Sequence, residues 1–417
     1  MQCFVARQPI FDRRLRLFAY ELLFRTGFDN LCDIEAEEGD VASSDVLTTG
    51  FVLTGLEELT GGRKASINFT RNLLLKDIPT LFPPDLLLVE VLEDVKPKPE
   101  VIEACHKLKR SGYTILLDDF TPDYLGSPLL EVADIVKVDF CQCCPADIKE
   151  FPDRLKDRHI RMLAEKVETL EQFQLAVESN YTYLQGFFFS KPVVRSGSTI
   201  PGSRLVYLSI LNEISKPNVT FIDIEAIVRQ DVSLSYKLLK FMNSAYMGLT
   251  QPVTSIGGAL ALLGMQEIRK WVALSALSRL AEDKPEELIV DSLLRARLCE
   301  SVANELGMRN RGPELFLMGM FSLVDAIMDK PMSEVLSQLP LAEETKSALL
   351  GADHLFRRIL DTVVAYNRGN WPLFSSLAPA IELQEDAMPV LYADSMKWVT
   401  RALRSGSGKP EEAPVKA

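Results

Sequence analysis

The amino-acid sequence predicts an α/β domain followed by an all-helical one. Three observations carry that reading. Over the first ~190 residues, apolar strand runs alternate with amphipathic helix patterns at about 20–25 residues per unit, the rhythm of a parallel α/β barrel or open sheet. Acidic or amide residues recur where those strands end, which in such barrels is the catalytic face. After PVVRSGSTIPGS at 192–203, where Pro192, Gly197, Pro201 and Gly202 mark a domain edge, strand runs cease and long helical patterns follow.

Taken in order, the expected strands are 64–69, 86–91, 113–118, 135–139, 160–164 and 183–188. Each is a short, largely apolar run. Helices are expected between them at 42–59, 99–111, 146–157 and 169–179. The second half carries helical periodicity at 204–214, 223–229, 233–243, 255–263, 266–280, 289–306, 334–339 and 355–366. The division is therefore residues 1–192 as the α/β domain, 193–203 as linker, 204–401 as the helical domain and 402–417 as a disordered tail. The tail from Ser405 onward (SGSGKPEEAPVKA) has no apolar period.

Composition narrows the function classes. The chain has 417 residues, 47% hydrophobic and 25% charged, an ordinary soluble balance. Net charge is −12 with no basic stripe, which argues against duplex nucleic acid as a partner. A small anionic ligand stays compatible, because metal ions and a few arginines can hold one. Arg7, Asp12, Arg13 and Arg14 interrupt any signal-peptide core, so a cytoplasmic chain with reduced thiols is expected. The uncharged stretch around 241–266 contains Asn243, Ser244, Thr250, Gln251 and Pro252, and reads as loop and helix with no membrane insertion.

The chemistry-bearing set is Glu21 in YELLFR, Asn68 in SINF, Glu90 in LLLVEVLE, Asp118 and Asp119 in ILLDDF, and Glu165 and Glu168 in LAEKVET, with Lys137 and Asp139 in VKVDF among them. One strand-end acid alone usually caps the next helix or faces water. Several gathered without cations would repel and resist ionisation. Oxygen-only ligands suit Mg²⁺ or Mn²⁺ rather than zinc, and paired hard cations are a usual device for cutting phosphodiesters.

Together these residues resemble the EAL family of cyclic di-GMP phosphodiesterases over roughly residues 5–192. Glu21 falls at the Glu of the family's Glu-Ala-Leu signature, Asn68 at its metal-binding Asn, Glu90 and Glu93 at its Glu-x-x-Glu pair, and Asp118-Asp119-Phe120 at its Asp-Asp-Phe. Glu165 and Glu168 match Ala-Glu-Gly-Val-Glu-Thr, and Gln185-Gly186 the closing strand. The resemblance implies a modified TIM (β/α) barrel whose first strand runs antiparallel. It implies two divalent ions, Mg²⁺ or Mn²⁺, held by Glu21, Asn68, Glu90, Asp118, Asp119 and Glu165. Lys137, Glu165 and Glu168 would be catalytic, with Lys137 orienting the attacking water. Arg25, Gln185 and Pro192 would bind the substrate, and Glu93 would anchor the loop after Asp119. The implied reaction is hydrolysis of cyclic di-GMP to linear pGpG in bacterial second-messenger signalling. The chain departs from the pattern at Leu22, at Thr121-Pro122-Asp123 in place of a Gly-rich loop start, and at Lys166 in place of Gly.

The helical half, with DVSLSYKLLKFMNSAYMG and SIGGALALLGMQEIRKWVALSAL, resembles the HDOD domain, a relative of metal-dependent hydrolases. His354 is its only histidine, too few for a His/Asp metal site, so it reads as a non-catalytic regulatory or protein-docking domain. The stripe Leu234, Leu238, Leu239, Met242 reads as core, and Asn243-Ser244 as a helix-end device. Cys141, Cys143 and Cys144 lack a fourth ligand at metal-site spacing. Three readings stay open. One is an active phosphodiesterase. The second is a weak or inactive cyclic di-GMP receptor signalling through the helical domain. The third is a scaffold for a protein partner, with room for a homodimer.

Overall fold

The structure is a computed structural model describing residues 3–26, 56–191, 202–216, 218–243, 247, 251–339 and 341–407. Pro192, Ser244, most of the expected linker, the greater part of the helix expected at 42–59 and the tail beyond Ser407 lie outside the described residues. The chain groups into two compact units. One joins Met1–Lys191 to Thr362–Ala393, and the other joins Pro192–Asp361 to Asp394–Ala417. The expected helical domain at 204–401 thus does not group as one block. Segment 362–393 collects with the first unit, for reasons of packing given below.

The first unit is built on a closed eight-stranded barrel in simple sequential order. Its strands are β1 (Cys3–Asp12), β2 (Leu17–Thr26), β3 (Lys64–Phe69), β4 (Leu87–Val91), β5 (Thr114–Leu117), β6 (Ile135–Asp139), β7 (Arg161–Glu165) and β8 (Tyr183–Gln185). β1 is antiparallel to both β2 and β8, as expected of the first strand, and the other neighbouring pairs are parallel. The β1–β2 reversal is a tight hairpin. The Asp12 carboxylate accepts hydrogen bonds from the backbone N–H groups of Arg14 and Arg16, and Leu15 takes a left-handed φ of 57°.

The barrel interior explains the sequence pattern. One layer is apolar: Ala19, Leu88, Leu116, Ile135, Leu163 and Tyr183, with Ile10 from β1. Successive side chains of a strand alternate between faces, so the residue two further along points inward again. Those residues are Glu21, Glu90, Asp118, Lys137, Glu165 and Gln185. The apolar layer closes the barrel floor, and the polar layer stands one pleat above it, toward the carboxyl ends of the parallel strands.

Where β8 ends, the chain turns sharply over Val167. Gly186 has φ of 144°, and a Cβ there would stand 2.1 Å from the Val167 carbonyl oxygen. Gly186→Ala should therefore destabilise the protein by about 2–4 kcal/mol through strained φ and overpacking against backbone. The check is a clear fall in the thermal midpoint by circular dichroism; an unchanged midpoint would mean that the turn yields without cost.

The second unit is all-helical among the described residues. Leu234, Leu238 and Met242 are buried on the helix Val232–Met242, as their spacing predicts. The Asn243 amide bonds the carbonyls of Leu239 and Val253 and accepts from the Val253 N–H, tying off that helix end. Helix Gly312–Phe321 went unforeseen because its sequence is apolar all round and shows no period. It packs so closely on helix Glu286–Glu305 that a Cβ at Gly319 would meet the Arg295 carbonyl oxygen at 2.4 Å. The final helix runs Met388–Ser407, so residues 402–407, expected to be tail, are helical. Buried Met396 and Val399 anchor the preceding turns, and the helix continues beyond them.

Candidate functional site

The polar layer converges on one cation. The Lys137 side chain is only 1% exposed, and its Nζ lies 2.5 Å from Glu90 Oε1, 3.0 Å from Asp118 Oδ1, 3.3 Å from Glu21 Oε2 and 3.7 Å from Glu165 Oε2. Four strands besides its own, β2, β4, β5 and β7, thus bring or lead into a carboxylate at one ammonium. Asp118 is one of the four, whereas Asp139 is held by Lys166 Nζ at 2.6 Å and by the backbone N–H groups of Cys141 and Gln142. Around this hub, Gln185 Nε2 donates to Glu21 Oε2 at 2.5 Å and Ser66 Oγ donates to Glu90 Oε2 at 2.7 Å. Ser66 was not foreseen as part of the site; it faces Glu90 only through the β3–β4 pairing.

The electrostatics follow from burial. Glu90 is raised well above the ordinary carboxylate range, first by desolvation, against which the Lys137 charge works, and further by Glu21 and Asp118. Glu165 is pushed up to about 7, again mainly by burial, with Lys137 opposing. Desolvation works to lower the Lys137 pKa, but the surrounding carboxylates, Glu21 and Glu90 first, win and hold it well above the usual lysine value. Asp119 is raised by burial and by the neighbouring Asp118. One lysine cannot balance so many acids, so the cluster is short of positive charge.

The donor set fits divalent cations. Asp118, Asp119 and Glu165 each present an oxygen, all within 4.8 Å of one another. Asn68 Oδ1, Asp119 Oδ1 and Gln185 Oε1 are buried and accept no hydrogen bond from the described residues, while Asp118 Oδ1 is near Lys137 without hydrogen-bonding geometry. Buried acceptors left without donors are costly in a protein fold unless something else satisfies them. An all-oxygen set of this kind suits Mg²⁺, Mn²⁺ or Ca²⁺.

Other expected site residues fall outside this hub. Glu168 is more than half exposed, with its carboxylate 3.6 Å from Lys191 Nζ, and is not among the groups facing Lys137. Glu93 does meet the loop after Asp119, but through its backbone carbonyl, which accepts from the Tyr124 hydroxyl at 2.5 Å. In that loop Pro122 opens a 3₁₀ turn, Pro122–Gly126, where its fixed φ is useful. Lys166, where glycine was expected, takes φ of 55° and compensates with its ion pair to Asp139. Cys105, Cys141, Cys143, Cys144 and Cys299 are free thiols, and Cys141 and Cys144 are exposed. His354 Nε2 lies 2.9 Å from Ser347 Oγ. Arg25 lies on the same face of β2 as Glu21 and is 4% exposed; its Nη1 donates to Ser375 Oγ at 2.9 Å.

Comparison with known proteins places the chain. A family model described as HDOD domain matches residues 200–386. An uncharacterized Bacillus subtilis protein, YuxH, is 36% identical over 406 residues, covering 95% of this chain and 98% of that protein. The Vibrio cholerae protein named cyclic di-GMP phosphodiesterase CdgJ is 32% identical over 370 residues, covering 88% of this chain and 85% of that one. The chain belongs to the family of YuxH and CdgJ. Both alignments are long enough to run through the barrel and helical halves of this chain. A solved Klebsiella pneumoniae protein, BlrP1, described as a calcium and cyclic di-GMP complex, is 24% identical with a TM-score of 0.38, covering 46% of this chain and 56% of that one. An EAL domain protein from Listeria monocytogenes is 20% identical with a TM-score of 0.36, covering 45% and 87%. Both structural likenesses are loose. No helix among the described residues is long and apolar enough to cross a membrane.

Proposed function

We propose that this protein is a divalent-metal-dependent cyclic di-GMP phosphodiesterase whose barrel is a modified TIM barrel of the EAL type. The observation that carries the reading is the charge-deficient carboxylate cluster around Lys137, flanked by buried oxygens that accept no hydrogen bond from the described residues. The 32% identity to a protein named for this activity supports it. Glu21, Asn68, Glu90, Asp118, Asp119 and Glu165 would hold two ions, Mg²⁺ or Mn²⁺. Such ions supply Lewis-acid polarisation of a phosphoryl oxygen and a water acidic enough to attack it. The chain's own part is positional. Lys137 holds four carboxylates in one constellation and offers N–H donors at its centre. Glu165, pushed up to about 7 by burial without a cation beside it, would give up its proton as a cation binds. Gln185 fixes the Glu21 carboxylate in place. The apolar layer beneath keeps water from the barrel floor.

The helical unit, by this reading, docks a protein partner and adds no chemistry; the whole protein works in the cytoplasm. The receptor reading, binding without turnover, is favoured by one observation, the Thr121-Pro122-Asp123 sequence after Asp119, where Pro122 opens a 3₁₀ turn in place of a freer Gly-rich loop start. The deciding experiment is incubation of purified protein with cyclic di-GMP and Mg²⁺ or Mn²⁺, followed by chromatography for pGpG. Product that vanishes on full chelation is expected. Tight binding with no product would establish the receptor, and product that survives chelation would sink the metal reading.

A further inference from the structure

Segment 362–393 packs on the barrel at β1, β2 and the end of β8. Phe4 of β1 lies against the rings of Tyr366, Trp371 and Phe374, at centroid distances of 6.5, 6.3 and 6.4 Å. Gly369 is there because a Cβ would stand 2.5 Å from a methyl of Leu23. Arg368 lies over the ring of Phe187, 4.5 Å from its centroid, just past β8. Phe4 and Arg25 are register partners across β1 and β2, so their side chains share a face. That face also carries Glu21, four residues before Arg25 on β2. The segment therefore covers one sector of the mouth above the polar layer.

Within the covered sector runs a relay. Arg25 Nη1 donates to Ser375 Oγ at 2.9 Å, and Ser375 Oγ donates to Glu385 Oε2 at 2.9 Å. A carboxylate is thus linked to the guanidinium through one hydroxyl. Carboxylate and phosphate are the anions a guanidinium recognises best, and they compete for the same N–H donors. At 4% exposure, with its guanidinium on Ser375 and over the Phe4 ring, Arg25 cannot meet a ligand in this arrangement. Ser375 and Glu385 are themselves only half-buried, so they are not fillers of the core.

We propose that Ser375 and Glu385 hold Arg25 in a contact that mimics a phosphate, and that a phosphodiester ligand must displace this contact to bind. The inference rests on the proposed function for the identity of that ligand. It makes segment 362–393 a restraint on the barrel site: loosening the relay strengthens binding, and tightening it weakens binding.

The test compares full-length wild type with the variant carrying Ser375→Ala and Glu385→Gln. Two readouts are needed: the affinity for cyclic di-GMP, and the rate at which phenylglyoxal labels Arg25, followed by mass spectrometry. The variant should bind about tenfold more tightly, the scale of one hydrogen bond to a charged group. Its Arg25 should label faster, with the thermal midpoint nearly unchanged. In an Arg25→Ala background the affinity gain should disappear. Weaker binding by the variant would overturn the proposal, since the relay would then be positioning Arg25 for the ligand. Equal labelling of Arg25 in both proteins would also overturn it. Faster labelling with no cyclic di-GMP binding by either protein would keep the restraint on Arg25 and reject the ligand instead.

Discussion

Lys137→Ala should lower turnover of cyclic di-GMP by about 10²–10⁴, the usual scale for a group that positions or transfers a proton at the reacting centre. It should also destabilise the protein without added metal by about 3–5 kcal/mol, because removing one partner of a buried ion pair leaves the other charge uncompensated. Here the loss leaves facing one another four carboxylates that in the wild type each lie 2.5–3.7 Å from Lys137 Nζ. The stability deficit should shrink on acidification. Glu165, already pushed up to about 7 by burial, and Glu90, raised well above the carboxylate range, then take up protons and stop repelling their neighbours. It should shrink as well on adding Mn²⁺, which supplies the missing positive charge. Denaturant unfolding at two pH values, with and without Mn²⁺, measures all of this beside the chromatographic rate assay. Unchanged turnover would remove Lys137 from the mechanism, and unchanged stability would mean that the cluster relaxes freely once the lysine is gone.

Asp118→Ala should abolish turnover and remove most of the thermal stabilisation that Mn²⁺ gives the wild type. Asp118 faces Lys137 at 3.0 Å, closer than Glu165 at 3.7 Å, and both belong to the group of three acids able to share a cation. A ligand that binds only the folded state raises its stability by RT ln(1 + c/Kd) at free ligand concentration c, so a lost site appears directly as a lost shift. Asp118→Asn separates charge from shape: it keeps an oxygen in place and should retain part of the Mn²⁺ shift but little turnover. A full Mn²⁺ shift in Asp118→Ala would take Asp118 out of the cation set and move the site toward Glu21 and Glu90.

Much of the barrel was legible because its two inner layers are a period-two pattern. Ala19 and Glu21, Leu88 and Glu90, Ile135 and Lys137, Leu163 and Glu165 are each one pleat apart. Such spacing can be read along a single strand without knowing its neighbours. β1 and β2 were not marked out as strands. They alternate only in part and contain Arg7, Gln8, Glu21 and Arg25, whose burial depends on what covers them. Helix Gly312–Phe321 was missed for the opposite reason, being apolar on every side.

By itself the sequence determined which side chains could enter the barrel and at what height, because the alternation of a strand is a local property of the backbone. Tertiary structure alone decided which of them meet. Lys137 chose Asp118 over Asp139 because β5 closes beside β6 while Lys166, on the turn after β7, claims Asp139. Glu168, alike in type to Glu165 and three residues away, is left at the surface with Lys191, because the chain has left β7 before reaching it. The contact from Arg25 to Ser375 spans 350 residues of sequence and has no local pattern to announce it. It exists only because aromatic packing on Phe4 brings segment 362–393 to the barrel.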